Sequence, residues 1–455
     1  MKKKRCLHVI VQVTVKFNSC CARGCHVIGM IKMTDAWRLD TLPSDVLILI
    51  FDYCHAFDLV RLSEVCTRFR DVIREETLWI KKSKQPIVTN QTSRKFRERC
   101  NSLLSLRTKW HVSNNWQCGK YEKKILFSQN TKVIPHIQLT KDILWWSGGN
   151  QLYGFRRTEP FEDNNRIFIH DNVTSDIFKF IVNNDYIITG HRDGSIQFWT
   201  KPQSSRNIDY YFSIEAAHSR SVNALDETLT TIISGSGDGT VKIWTLHGQR
   251  ISRIPLATIN IAQRVCSLSV DPMNKMVAIG TVGDSDKPHL HIFDLEHYTE
   301  FDILKSDKRR YAGTLDMVWD SPQTLLTCGY DTYIRKWDFR TGTCVYSWRE
   351  PTDATLYCIS SDYQYTMITG TKFNCKAVLW DQRQKNYVQV YFMNLRRMSS
   401  PTYSISFDNT HLYGATDQHL VELNFSGYSY KKSNYKEILK YEYVGPGRTD
   451  SNGIA

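Results

Sequence analysis

Residues Thr240–Thr245 (TVKIWT) alternate, with Val241 and Ile243 on one side and Thr240, Lys242 and Trp244 on the other. That is the period of a half-buried strand. Just before it, Gly237-Asp238-Gly239 is a tight-turn sequence, and Thr231–Ser234 is a β-branched apolar run. The pattern predicts strand, turn, strand. The same grammar recurs in Thr189–Thr200, Cys328–Asp338 and Thr369–Asp381, more loosely in Ile279–Leu295, and in degenerate form in Trp145–Arg156 and Tyr413–Phe425. Residues 37–80 follow a different period. Val46, Leu47, Ile50 and Phe51 recur at helical spacing, and Leu59, Leu62, Cys66, Phe69 and Ile73 fall on one helical face. Pro43 and Ser44 suit the first turn of a helix, and Asp58 suits the start of a second.

The residues that close the seven copies are Phe155, Trp199, Trp244, Phe293, Trp337, Trp380 and Leu423, spaced 44, 45, 49, 44, 43 and 43 apart. A period in the low forties, with four strands per unit and literal Trp-Asp endings at Trp337-Asp338 and Trp380-Asp381, is the signature of a WD-repeat β-propeller. Seven copies predict seven blades over residues 120–426. The strand at Lys123–Phe127 precedes the first copy and is expected to be the outer strand of the last blade, so that the ring closes without a free edge. The fold class is thus a small all-α module at 37–80, a basic helical linker at 81–119 and an all-β seven-bladed propeller. A basic extension at 1–34 and a polar tail at 427–455 are expected to be disordered.

Charge changes this picture only locally. The chain carries a net +13. Residues 1–34 hold seven Lys/Arg and no Asp/Glu, and residues 81–124 hold twelve against two, which leaves the remainder slightly acidic. The basic stretches raise the alternative of a nucleic-acid-associated protein, against the commoner reading of a solvated linker. Lys2–Arg5 followed by an apolar stretch resembles a secretory leader, but His8 and Gln12 interrupt it and no small-x-small site follows. We read it as an extension ahead of the first domain, with Met30 and Met33 just upstream of that domain. No run of 18 apolar residues exists, so no membrane span is expected. The 13 cysteines do not resemble a disulfide framework; nine are scattered after residue 50 and read as free thiols in a reducing compartment, cytoplasmic and/or nuclear. Cys20, Cys21, Cys25 and His26 form at most half of a zinc site, so neither metal nor cofactor is expected. No phosphate-cradling glycine loop stands out, and Gly235, Gly237 and Gly239 belong to the hairpin. His218, Ser234 and Asp238 are the residue types of a nucleophilic triad.

Leu42-Pro43, Asp45, Val46-Leu47, Ile50, Leu59, Leu62, Val65-Cys66, Phe69 and Leu78-Trp79 fall at the positions of the F-box motif, with Phe69 where the pattern often has Trp. With seven WD repeats downstream, the chain resembles the F-box/WD-repeat family from about Trp37 to Phe425. Val112–Gly119, Ser321–Asp338, Pro351–Cys358 and Val378–Gln384 add to the likeness. The resemblance implies a non-catalytic substrate receptor of an SCF (Skp–cullin–F-box) ubiquitin ligase. The helical module would bind the Skp adaptor, and through it a cullin, by Leu42, Pro43, Leu47, Ile50, Val65, Cys66 and Trp79. The propeller would bind a protein substrate. It further implies that His218, Ser234, Asp238 and Trp244 form a buried structural network rather than a catalytic one. Two positions per blade would reach the substrate-binding rim: Phe178, Asn223, Cys266, Asp316, Tyr357 and Ser404 from the inner strands, and Arg192, Gly237, Tyr330, Lys372 and Thr416 from the second strands. With one Arg and one Lys among them, the set suits an unmodified or singly modified peptide better than a multiply phosphorylated one. The alternative is a WD-repeat scaffold without ligase coupling.

Overall fold

The computed structural model describes residues 39–82, 86–129, 133–157, 166–169, 175–183, 185–201, 207–247, 250–282, 288–301, 313–393 and 400–428. The expected extension at 1–34, including Cys20, Cys21, Cys25 and His26, and the expected tail from 429 onward lie outside them. The chain forms two compact units. Among the described residues, one comprises those up to Pro86 with Leu104–Ser113, and the other comprises Ile87–Leu103 with those from Asn114 to Tyr428.

The helical unit begins with a 3-10 turn at Leu39–Thr41, followed by α1 (Ser44–Asp52), α2 (Ala56–Leu62), α3 (Thr67–Arg74) and α4 (Glu76–Lys82). Pro43 sits at the N-cap of α1. The Cys66 sulfur accepts the Phe69 N–H at 3.4 Å and opens α3. Leu47, Phe51, Leu59, Phe69, Ile73 and Trp79 share one core. Phe51 meets Phe69 edge-on at 5.3 Å, and the Trp79 indole N–H donates to the Ile73 carbonyl at 2.7 Å, so the buried indole keeps its polar partner. Trp110, carried by a later helix (Leu106–Cys118), packs against Phe57 and Trp79 and enlarges a core that four short helices could not complete.

The second unit is a seven-bladed propeller. Blades one, two, five and six are four-stranded meanders: His136–Leu139 to Arg166–Ile169, Ile177–Val182 to Asn207–Ile214, Thr314–Ser321 to Thr343–Arg349, and Leu356–Ser361 to Tyr387–Phe392. Blade three runs from Val222–Glu227 to Ala257–Asn260, with a side ribbon at Arg250–Ile251. Blade four shows three strands among the described residues, Val265–Val270, Met276–Thr281 and Leu290–Asp294. Blade seven takes Ser404–Phe407, His411–Ala415 and His419–Asn424 and adds Glu122–Ser128 antiparallel to its last strand. That is the closing strand expected from the sequence, and it hides an edge that would otherwise invite pairing.

The closing aromatics wedge each blade against the one before. Trp199 packs with Trp145 and Ile167 of blade one, Trp244 with Ile188 and Phe198 of blade two, and Phe293 with Val241 and Ile243 of blade three. Trp337 and Trp380 repeat this in blades five and six, and Phe155 packs against Tyr413 of blade seven. Such layers need neighbouring sheets to approach closely. At Gly235 a Cβ would lie 2.6 Å from the Val265 methyl of the next blade, so any side chain there would push the blades apart.

The stretch expected to be a solvated linker is largely not one. Ile87–Leu103 lies along the propeller. The Val88 N–H donates to Thr366 Oγ1 at 2.8 Å, Phe96 is fully buried beside Phe407, and Arg99 donates to Ser360 Oγ at 3.1 Å and to the Ser361 carbonyl. Further on, Trp116 stacks on Phe425 at 3.6 Å, and its carbonyl accepts the Tyr391 hydroxyl at 2.6 Å. Large aromatics set among basic residues supply the apolar area that docks these segments. Charge composition alone concealed them.

Candidate functional site

In blade three the four residues that resemble a catalytic constellation come together. The Trp244 indole N–H donates to Ser234 Oγ at 2.9 Å, and Ser234 Oγ meets His218 Nε2 at 2.8 Å. His218 Nδ1 meets Thr240 Oγ1 at 2.9 Å, and Thr240 Oγ1 donates to Asp238 Oδ1 at 2.7 Å. Asp238 also accepts the N–H groups of Thr240 and Ser219. One direction of donation satisfies every group: Trp244 to Ser234, Ser234 to His218, His218 to Thr240, and Thr240 to Asp238, with the imidazole neutral. Burial pushes the His218 pKa down to about 4, and its hydrogen bonds hold Asp238 at about 2. Ser234 has no exposed surface, so its hydroxyl cannot reach a substrate. Trp199, Trp337 and Trp380 make the same bond, to Thr189, Thr327 and Thr369, each at 3.0 Å.

The helical unit presents a different surface. Arg68 of α3 donates to the Leu42 carbonyl at 2.7 Å, which brings the Leu42-Pro43 turn beside the turn that carries Val65 and Cys66. Val65 is 51% exposed, Pro43 is exposed, and Leu42 and Cys66 are half-buried. Leu49 and Tyr53, not anticipated from the sequence, are 63% and 78% exposed. Leu47, Ile50 and Trp79 are corrected here. All three lie in the interior of the unit, where they hold the helices together and offer no surface to a partner.

The inner strands of the propeller converge on a cavity of about 180 Å³. Of the expected rim residues, Phe178, Asn223, Cys266, Asp316, Tyr330, Tyr357 and Ser404 line it. Arg192, Gly237, Lys372 and Thr416 do not. Arg192 is exposed beside Asp176 at 3.4 Å, Lys372 lies over the Phe373 ring, Gly237 is held by its N–H on Ser221, and Thr416 is buried and donates to the His419 carbonyl.

The register of the inner strands explains the geometry. In blades two to six the ladder slips near its start, between Ile177 and Lys179, Val222 and Ala224, Val265 and Ser267, Thr314 and Asp316, and Leu356 and Cys358. The skipped residues are Phe178, Asn223, Cys266, Leu315 and Tyr357. A bulge re-aims its side chain, so these five form an upper ring at the cavity mouth. Asp316 therefore belongs one position deeper than anticipated, in a second ring with Lys179, Ala224, Ser267 and Cys358. Lys179 carried no signal in the strand pattern because only the slip brings it to the same channel as Phe178, its neighbour in sequence; His136, and Arg264 and Tyr403 just ahead of their inner strands, also line the cavity.

Burial raises the pKa of the Tyr330, Tyr357 and Tyr403 hydroxyls, and Tyr357 meets Tyr403 edge-on at 5.5 Å. Burial holds His136 well below its usual range, so it is neutral, and it pushes the Cys266 thiol up to about 11. Burial also raises the Asp316 pKa, opposed by Lys179 and by the Ile359 N–H that Asp316 accepts at 2.9 Å. The cavity can thus hold one side chain between phenol rings, with charge available at Lys179 and Arg264. Among the described residues no group of three or more metal-ligating side chains is assembled, and no helix is long and apolar enough to cross a membrane.

Comparison with known proteins agrees with this architecture. Residues 39–85 match the F-box-like family model, and residues 211–245, which contain the complete His218–Trp244 network, match the WD domain, G-beta repeat model. The chain is 32% identical to mouse (Mus musculus) F-box/WD repeat-containing protein 4, also called dactylin, over 86% of this chain and 93% of the relative. It is equally similar to the human (Homo sapiens) protein of that name, over 86% and 92%. It is 25% identical to WD repeat-containing protein 37 of Xenopus tropicalis over 33% of this chain and 30% of that one. With a matched F-box-like module, a seven-bladed propeller and similarity along nearly the whole relative, the chain belongs to the F-box/WD-repeat family.

Proposed function

We propose that the protein is a non-catalytic substrate receptor of an SCF-type ubiquitin ligase. The helical unit binds the Skp adaptor, and through it a cullin, while the propeller binds the protein substrate. The observation that carries this reading is the partly exposed apolar surface around Leu42, Pro43, Val65 and Cys66, with Leu49 and Tyr53 also exposed on the same helical unit, on a module of the F-box-like family. A surface of that kind on a small helical unit marks a partner site. On this reading, Phe178, Asn223, Tyr330 and Tyr357 contact substrate at the cavity mouth, with Asp316 one ring deeper. Ubiquitin transfer then follows from proximity, the entropic advantage of holding two reactants together. The nine cysteines described are all free, which supports a reducing cytoplasmic and/or nuclear location. Arg99 of the basic stretch 81–124 is engaged within the propeller unit, on Ser360 and Ser361, which weighs against a nucleic-acid arm.

Adaptor binding by the purified full chain tests the proposal. Capture of the Skp adaptor by the wild type, and its loss in a Pro43→Ala/Val65→Asp variant of unchanged thermal stability, is the expected outcome. A folded wild-type chain that captures no adaptor would leave a WD-repeat scaffold without ligase coupling.

A further inference from the structure

The second ring of the channel holds Lys179, Ala224, Ser267, Asp316 and Cys358, the residues that follow the five bulges. Three polar members of this ring tie their blade to the next. Ser267 Oγ donates to the Thr314 carbonyl at 3.1 Å, Asp316 Oδ2 accepts the Ile359 N–H at 2.9 Å, and the Cys358 thiol reaches the Thr402 carbonyl at 3.6 Å. In the ring above, Asn223 does the same, donating to the Val265 carbonyl at 2.8 Å. Lys179 alone among these polar groups makes no such tie. Its side chain forms no hydrogen bond and no ion pair among the described residues, although it is half-buried on the cavity wall.

Lys179 is within electrostatic reach of Asp316 and Asp226. Both carboxylates are already committed to backbone N–H groups, of Ile359 and Val270 respectively. Arg264 at the mouth adds a second cation whose guanidinium is not ion-paired among the described residues, and neutral His136 adds no charge. The channel therefore offers an uncommitted ammonium below a collar of Phe178, Tyr330, Tyr357 and Tyr403. A half-buried ammonium without an ion-pair partner is a strong donor site for an anion, because charge-assisted bonds strengthen where water is excluded.

Resting on the receptor reading above, we infer that the substrate enters the channel with one acidic side chain, whose carboxylate pairs with Lys179 between the tyrosines. The cavity of about 180 Å³ has room for an inserted side chain. Asp316 at the same depth opposes additional negative charge, so a carboxylate suits the site better than a phosphate dianion. This separates the site from one built to read phosphate, which would present several Arg side chains.

The test uses the full chain and an oriented peptide library, with one fixed position carrying Glu, Asp, Gln, Lys or phosphoserine within otherwise degenerate flanks. The wild type is expected to prefer the Glu pool over the Gln pool by about tenfold or more. That preference falls to near one in Lys179→Met, returns in large part in Lys179→Arg, and persists in Lys372→Met, which lies outside the cavity. Equal binding of Glu and Gln pools by the wild type, or a Glu preference that survives Lys179→Met, overturns the inference. So does tighter binding of phosphoserine than of Glu. If Lys179→Met does not fold, the comparison of pools in the wild type and in Lys179→Arg still decides. Adaptor capture is measured on the same preparations. Capture without acidic selection refutes this inference alone, whereas selection without capture refutes ligase coupling and leaves the inference standing.

Discussion

Replacing Ser234 by Ala removes one oxygen and strands two buried groups. Trp244 Nε1, at 2.9 Å, loses its acceptor, and His218 Nε2, at 2.8 Å, loses its donor. Both residues are almost wholly buried, so water cannot substitute without opening the blade. Each orphaned group costs about 1–3 kcal/mol, which puts the variant at roughly 2–6 kcal/mol of lost stability. Against a typical total of about 5–15 kcal/mol, that is a severe effect for one atom. Ser234→Thr is the internal control, because Thr189, Thr327 and Thr369 accept the equivalent indole bond at 3.0 Å in three other blades. Urea unfolding of the full chain, followed by tryptophan fluorescence, reads the shift in midpoint with the slope checked for constancy. Ser234→Ala should unfold at markedly lower urea and Ser234→Thr close to wild type. A loss below about 0.5 kcal/mol in Ser234→Ala would place it among ordinary surface substitutions and refute the network as a stabilising element.

Three further outcomes follow from the same structure. His218 titrates at about 4 in the folded chain but near 6.5 when unfolded, so the unfolded state binds more protons in between; stability should fall as pH drops from 6.5 to 4, by about 3 kcal/mol from this group, and a His218→Gln variant should flatten that limb of the denaturation profile. Asp238, held at about 2, adds its own loss only as pH falls from about 3.8 towards 2. Arg157 and Asp408 form an ion pair with almost no exposed surface, so Arg157→Met should cost about 3–5 kcal/mol in thermal denaturation, while Arg157→Met/Asp408→Leu should recover part of the loss; a double variant as unstable as the two singles summed would contradict this. Gly235→Ala, facing Val265 at 2.6 Å, should destabilise by about 1–3 kcal/mol, and Gly235→Ala/Val265→Ala should regain some of it in the same assay.

The architecture was readable because each blade repeats a local pattern. Alternation, a Gly-containing turn and a closing aromatic recur in the low forties, and each closing aromatic from Trp199 to Trp380 does pack on the preceding blade. What local periodicity cannot express is an interruption of the ladder. The inner-strand slips bring Phe178 and Lys179 to the same channel although they are consecutive, and they place Leu315 rather than Asp316 at the mouth of blade five. The helical unit shows a second limit. Leu47 and Leu49 lie two residues apart on α1 and look alike in sequence, yet one is in the core and the other 63% exposed. Periodicity marks an apolar face, but it does not say which residues of a nearly all-apolar helix the unit consumes internally. Likewise Phe96 and Trp116 sit in the basic stretch 81–124, and only their contacts with Phe407 and Phe425 show those segments to be part of the propeller unit.

Adaptor affinity of the full chain, measured by calorimetric titration with the purified Skp adaptor beside Val65→Asp and Leu47→Asn variants, tests the receptor reading most directly. The account predicts saturable binding by the wild type and loss of binding in Val65→Asp with an unchanged melting temperature, because Val65 is on the surface. It predicts a lowered melting temperature in Leu47→Asn, because Leu47 is in the core. Saturable binding that is equally strong in Val65→Asp, or no binding by the folded wild type, would contradict it.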